Sequence, residues 1–170
     1  MKKDIILRLL TFDILTNLLA SNTLFGLHDV KNAHNRLLDA NRVPDGEANA
    51  REWNAIVEGH RDDAVEDMAA RLLLAGRPVT LLDADAEDVY PARGVRARLG
   101  VSDGLYDITL DNVAEGLARA FDGTFKNADG FQKTFAREGV RALLADEGDF
   151  DADMADTLMQ VILFDEAVYA

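Results

Sequence analysis

Hydrophobic residues recur at helical spacing over most of the chain, and this periodicity is the strongest structural signal in the sequence. It predicts helices over residues 4–20, 27–40, 47–57, 62–75, 110–121 and 131–144, and a final helix that begins near Asp151 or Asp153. Two short stretches, VTLL at 79–82 and YDITL at 106–110, have a β-rich composition instead. The pattern therefore predicts an all-α fold: a compact multi-helix domain of about seven helices spanning residues 1–170, with at most a minor strand element.

The register of the apolar positions also predicts which side chains face inward. In the first helix, one narrow polar stripe runs from Asp4 to Thr11 along an otherwise apolar rod. In the helix over 131–144, the spacing places Phe131, Phe135 and Val140 on the buried face. The first and last helices are expected to be the ones around which the others pack.

The final predicted helix combines an acidic start with an apolar remainder, in which Gln160 is the one polar residue between 158 and 164. Carboxylates are favoured at a helix N-terminus, because the helix dipole is positive there. A helix that is apolar on nearly every face is expected to be surrounded by other helices. The acids at its start are Asp146, Glu147, Asp149, Asp151, Asp153 and Asp156.

The charge of the chain limits the classes of partner that it can bind. The formal net charge is −13, from 18 Lys and Arg against 31 Asp and Glu. Nearly all of it belongs to residues 61–170, which carry 11 basic and 23 acidic side chains. Phosphate contacts need Lys and Arg, so this balance disfavours direct binding of nucleic acid. It suits a basic protein partner, or serves solubility.

Composition also limits the chemistry and the location. The chain has no cysteine, which excludes disulfides, thiolate nucleophiles and cysteine-ligated metal sites. Two lysines precede an apolar run at the N-terminus, but Arg8, Asp13 and Asn17 interrupt it. The run therefore resembles neither a signal peptide nor a membrane span. We predict a cytoplasmic protein that does not enter the membrane.

The sharpest local motif is NRVPDGEANARE at 41–52, which partly matches a twelve-residue calcium loop. Asn41, Asp45, Gly46 and Glu52 occupy suitable positions, but Val43 offers no side-chain oxygen at the third. A turn between two helices is therefore the preferred interpretation. The three histidines and the few serines form no catalytic or metal-binding motif either. The sequence predicts no cofactor, no metal and no identifiable catalytic residue.

One basic cluster, Arg93, Arg96 and Arg98, stands within the acidic part of the chain. Such a cluster can bind a phosphate or an acidic surface. It can also pair with acids of the same chain, which is the preferred interpretation because the chain has a surplus of them. If these arginines fold onto the acids at the start of the final helix, those acids are not a partner site.

Two segments, YDITLDNVAEGL at 106–117 and DADMADTLMQVILFDEAVYA at 151–170, resemble short proteins carried on mobile elements of gut bacteria. The chain departs from those proteins at Asp165 and Ala170, where they are expected to have glycine. The resemblance implies a mobile-element setting, in which accessory proteins often bind and inhibit host machinery.

Together these observations predict a non-enzymatic acidic binding protein that engages a basic protein partner through the six acids at 146–156. Two alternatives stay open. One is an inhibitor that mimics nucleic acid and blocks a host defence nuclease of the restriction or CRISPR type. The other is an enzyme with an unrecognised carboxylate or metal site, since an acidic chain always contains candidate carboxylate pairs.

Overall fold

The computed structural model describes residues 1–27, 30, 55–56, 59–60, 63–83, 104–145 and 148–168. This part of the chain is mainly helical, as the periodicity predicts, and it also contains one small sheet. Its helices are α1 (Lys3–Leu9), α2 (Phe12–Ser21), α3 (Val65–Leu74), α4 (Leu110–Asp122), α5 (Gly130–Ala145) and α6 (Ala152–Phe164). Its strands are β1 (Phe25–Leu27), β2 (Val79–Asp83) and β3 (Leu105–Ile108). The predicted number of about seven helices is corrected to six for these residues. The predicted helices at 27–40 and 47–57 lie largely outside them.

The first predicted helix is two helices, because the chain changes direction at Leu10 and Thr11. Thr11 has an extended backbone, and its Oγ1 accepts a hydrogen bond from the amide of Ile14 at 3.3 Å. It is therefore the N-cap of α2 and not part of a continuous polar stripe. The break allows α1 to pack against α4 while α2 packs against α3 and α6.

The two β-rich stretches form β2 and β3, and β2 also pairs with β1, which gives an antiparallel sheet of order β1-β2-β3. Val79 lies opposite Ile108, and Leu81 lies opposite Leu27 on one side and Tyr106 on the other. Alternate residues of β2 are buried, so one face of the sheet packs against the core. Leu27 was predicted to begin a helix but ends β1 instead. The prediction was wrong because the short segment FGL gains its hydrogen bonds from β2, which is distant in sequence.

Helix α6 packs against α2, α4 and α5, and every residue from Leu158 to Phe164 is buried. This confirms the surrounded helix that the apolar pattern predicts. The Nε2 of Gln160 donates to the backbone carbonyl one turn earlier, at 3.1 Å. The ring of Phe164 meets the rings of Phe25 and Tyr106 edge to face, at centroid distances of 5.7 and 5.5 Å. Despite the apolar character of α6, none of the described helices has the length and hydropathy that a membrane crossing requires.

The start of α4 is capped by side chains close in sequence, whereas the end of α6 is held by an ion pair between residues far apart in the chain. Thr109, a residue type favoured at helix N-caps, caps α4: its Oγ1 accepts from the amide of Asn112 at 3.2 Å, and Asn112 Oδ1 accepts from the amide of Thr109 at 3.0 Å. Asp165 ends α6 with a left-handed backbone, φ 56°. Its Oδ1 lies 2.7 Å from Nε of Arg119. This ion pair places a positive charge near the negative end of the α6 dipole.

Helices α4 and α6 approach each other closely at Gly116. A Cβ at this position would lie 2.5 Å from Cγ1 and 2.6 Å from Cα of Ile162. Because the second atom belongs to the backbone, a larger residue would force the helices apart. We expect Gly116→Ala to lower the free energy of unfolding by about 1–3 kcal/mol, although alanine has the higher helix propensity. Urea denaturation followed by circular dichroism measures the change.

Gly139 is the matched control, because it is also buried and helical and faces α6 from α5. A Cβ there would meet Met154 Cβ at 3.4 Å and Leu158 Cδ1 at 3.6 Å, which are ordinary contact distances. Gly139→Ala should therefore be neutral, or stabilise the protein by up to about 1 kcal/mol. Equal destabilisation by the two variants would contradict a special role for the close approach at Gly116.

Candidate functional site

Two of the six predicted partner-binding acids make hydrogen bonds within the fold. Asp151 is the N-cap of α6, and its Oδ1 accepts from the amide of Met154 at 2.9 Å. Asp156 accepts from the amide and the hydroxyl of Thr23, both at 2.5 Å, and from the amide of Leu24 at 3.2 Å. Its carboxylate thus holds the turn that leads into β1. Both acids have a structural role whether or not they also meet a partner.

The structure places the other described acids of this set, Asp149 and Asp153, in two different pockets. Both side chains are exposed. Asp149 lines a pocket of about 320 Å³ together with Arg141, beside the C-terminal half of α5. Asp153 lines a larger groove beside the N-terminal half of α5. The predicted cluster is therefore divided between two surfaces. Asp146 and Glu147 lie outside the described residues.

The larger groove has a volume of about 630 Å³ and lies between the starts of α5 and α6. We call it the α5–α6 groove. This volume is within the range of about 300–1,000 Å³ that is typical of ligand sites. Carboxylates and phenyl rings define its character: Asp129, Phe131, Phe135, Asp153 and Asp156 all line it. It combines a flat apolar surface with negative charge.

Phe131 is the most prominent feature of the groove, since 77% of its surface is exposed. Its ring stacks on that of Phe135, with centroids 6.0 Å apart and an interplanar angle of 13°. The prediction that Phe131 faces inward is wrong, whereas Val140 is buried as predicted. The buried stripe of α5 contains Ala136 and Leu143 as well. At 100° per residue, Phe131 lies well over 90° from the centre of that stripe.

The groove carries negative charge that no described cation neutralises. Asp129 caps α5: its Oδ1 accepts from the amide of Gln132 at 2.8 Å, and its own amide donates to Gln132 Oε1 at 3.0 Å. Asp129, Asp153 and Asp156 form no ion pair with any residue that the structure describes. The arginine cluster at 93–98 lies outside the described residues, so its pairing with these acids stays a prediction.

Metal and nucleophile chemistry has no described arrangement to support it. Among the residues that the structure describes, no three His, Asp or Glu side chains are grouped so that they could hold a metal ion. His60 Nδ1 lies 3.2 Å from Oδ2 of Asp63, which Arg71 Nε also approaches at 3.4 Å. The contact of Arg71 with Asp63 is an ion pair beside α3, and His60 makes a polar contact with the same carboxylate. The calcium-like loop at 41–52 lies outside the described residues.

No family model, no curated protein and no solved structure matches this chain. The geometry of the groove is therefore the basis for proposing a function.

Sequence reasoning found Asp153 and Asp156 but missed Asp129, Phe131 and Phe135. The signal for the rings was present in the helical register of α5. The signal for Asp129 was the Asp-Gly-Phe-Gln order at 129–132, which fits an N-cap followed by a capping glutamine.

Proposed function

We propose that this protein is a non-enzymatic acidic binding protein that engages a basic protein partner in the cytoplasm. The observation that supports it most directly is that Asp149 and Asp153 are exposed and form no ion pair with any residue that the structure describes. Asp129 adds a third exposed carboxylate at the start of the neighbouring helix. Opposite charge across an interface steers association and selects the partner. A basic segment of a protein is the partner that this surface favours.

The alternative of a nucleic-acid mimic is less well supported by the placement of these acids. The acids at the start of α6 extend over about 8 Å from Asp151 to Asp156, at about 1.5 Å per helical residue. One turn of duplex DNA extends over about 34 Å. A mimic needs carboxylates spread along a longer face than Asp151, Asp153 and Asp156 provide. An enzyme is less well supported because, among the described residues, no three His, Asp or Glu side chains are grouped so that they could hold a metal ion.

Changing three exposed acids together tests the proposal that these acids bind a basic partner, although Asp149 and Asp153 line different pockets. We expect the combination of Asp149→Asn, Asp151→Asn and Asp153→Asn to weaken binding of a labelled Arg/Lys-rich peptide by about 3- to 100-fold. Asn at 151 remains a good N-cap, so the fold should be retained. Fluorescence anisotropy at several salt concentrations measures the affinity. Binding to the parent protein should weaken as salt rises, because the screening length is only about 8 Å at physiological ionic strength.

The control is a second triple variant, Asp4→Asn, Asp13→Asn and Glu66→Gln. These acids also lie in the first turns of helices, and the variant changes the net charge by the same amount. It should leave the affinity within about 2-fold of the parent protein. Equal losses in the two triple variants would show that the acids act only through net charge, and the proposed surface would be wrong. Circular dichroism melts of both variants verify that they are folded.

A further inference from the structure

We infer that the α5–α6 groove binds an arginine side chain of the partner, with the guanidinium group stacked on the exposed face of Phe131. The inference rests on the proposed function and names the chemical group that the site recognises. It depends on the aromatic pair and the groove, which the acids alone would not supply. Asp129 and Asp153 line the same groove and are the acceptors for the guanidinium N–H groups.

The geometry of the two rings selects a flat cation. Phe131 and Phe135 are nearly parallel, at 13°, with centroids 6.0 Å apart, and Phe131 keeps 77% of its surface exposed, so its ring offers a flat and open face. A planar group can continue this stack. The guanidinium of arginine is planar and weakly hydrated, and it stacks on aromatic faces. A lysine ammonium is compact and strongly hydrated, so it gains less from this surface.

A quaternary ammonium ligand fits the groove less well. Such ligands are bound in aromatic cages, in which several rings surround one cation. Among the described residues, two rings line this groove, and because they are nearly parallel they do not surround a cation. One face combined with neighbouring carboxylates favours a cation that stacks and donates hydrogen bonds at the same time, which arginine does.

The described part of the chain itself pairs arginines with phenylalanine rings. The guanidinium carbon of Arg71 lies 4.5 Å from the ring centroid of Phe12. Those of Arg137 and Arg141 lie 5.9 and 5.6 Å from the centroid of Phe121. No described cation lies over Phe131, although its ring is the most exposed of the large apolar side chains that the structure describes. The same pairing chemistry is thus open to a partner at Phe131.

Three labelled peptides test the inference. They share one Gly/Ser background and carry arginine, lysine or uncharged citrulline at the same positions. We expect the parent protein to bind the arginine peptide about 3-fold or more tightly than the lysine peptide, and to bind the citrulline peptide least. Phe131→Ala should weaken arginine-peptide binding by about 2- to 30-fold and remove the preference for arginine over lysine.

Leu9→Ala is the matched control, because it removes an exposed apolar side chain, 42% accessible, from a helix outside the groove. It should leave all three affinities unchanged. Phe131 is exposed, so Phe131→Ala should melt like the parent protein, and a lost affinity would report on binding and not on folding.

The outcomes separate this inference from the proposed function. Equal binding of arginine and lysine peptides, unaffected by Phe131→Ala but lost in the 149/151/153 triple variant, would overturn the arginine site and leave the proposed function standing. Failure of every charged peptide to bind would overturn both. A dimer in light scattering that Phe131→Ala converts to a monomer would show that a second copy of this chain occupies the groove, and the inference would be wrong.

Discussion

Replacing Phe164 with alanine is expected to lower the free energy of unfolding by about 3–5 kcal/mol. The ring is 1% exposed and contacts Phe25 of β1 and Tyr106 of β3 edge to face. Its removal leaves a cavity at the junction of α6 and the sheet, and also ends two aromatic contacts. A typical domain is stable by only about 5–15 kcal/mol, so the variant should unfold at a much lower urea concentration.

The control for this prediction is the same substitution at Phe131, which is 77% exposed. Phe131→Ala should change the free energy of unfolding by no more than about 0.5 kcal/mol. If Phe164→Ala proves as stable as Phe131→Ala, the packing of α6 against the sheet is not as the structure shows it.

Leu158→Ala and Ile162→Ala are each expected to cost about 2–5 kcal/mol of stability. The two residues are four apart on α6 and are 0% and 1% exposed, which confirms the shared buried face predicted from their spacing. Ile162 also contacts α4 at Gly116, and Leu158 contacts α5 at Gly139. Each truncation therefore leaves a cavity between two helices. Thermal and urea unfolding of the single variants measure the loss.

Leu74→Ala serves as the matched exposed site, because Leu74 is a helical leucine that is 42% accessible. It should lose less than about 1 kcal/mol, since 42% of its surface already meets water. If the Leu158 and Ile162 variants have the same melting temperature as the parent protein, this face of α6 is not buried. It would then be a candidate surface for binding a partner.

Local structure was the part of this protein that could be predicted well from the sequence. Helix α4 begins after Thr109 and α6 begins after Asp151, as their cap residues indicate. The burial of α6 also followed from its composition. Each of these features depends on side chains within a few positions of one another, so the sequence contains the whole interaction.

The candidate site could be predicted only in part. Asp153 was identified from the acidic start of α6, but its neighbours in the α5–α6 groove come from the start of α5, more than 15 positions earlier. The exposure of Phe131 depends on the direction in which α5 faces α6. Although the helical register contained that information, an apolar ring is normally assigned to the core, because burying it is favourable.

By itself the sequence determined where most described helices lie, how α4 is capped and that α6 is buried, because periodicity and capping act over one or two turns. Only the tertiary structure decided that Phe25–Leu27 forms a strand, since its hydrogen bonds come from Leu81–Asp83. It likewise decided that Gly116 lies against the backbone of Ile162, and that the predicted acids divide between two pockets. These features depend on contacts between residues far apart in the chain, and such contacts form only when the helices and strands pack together.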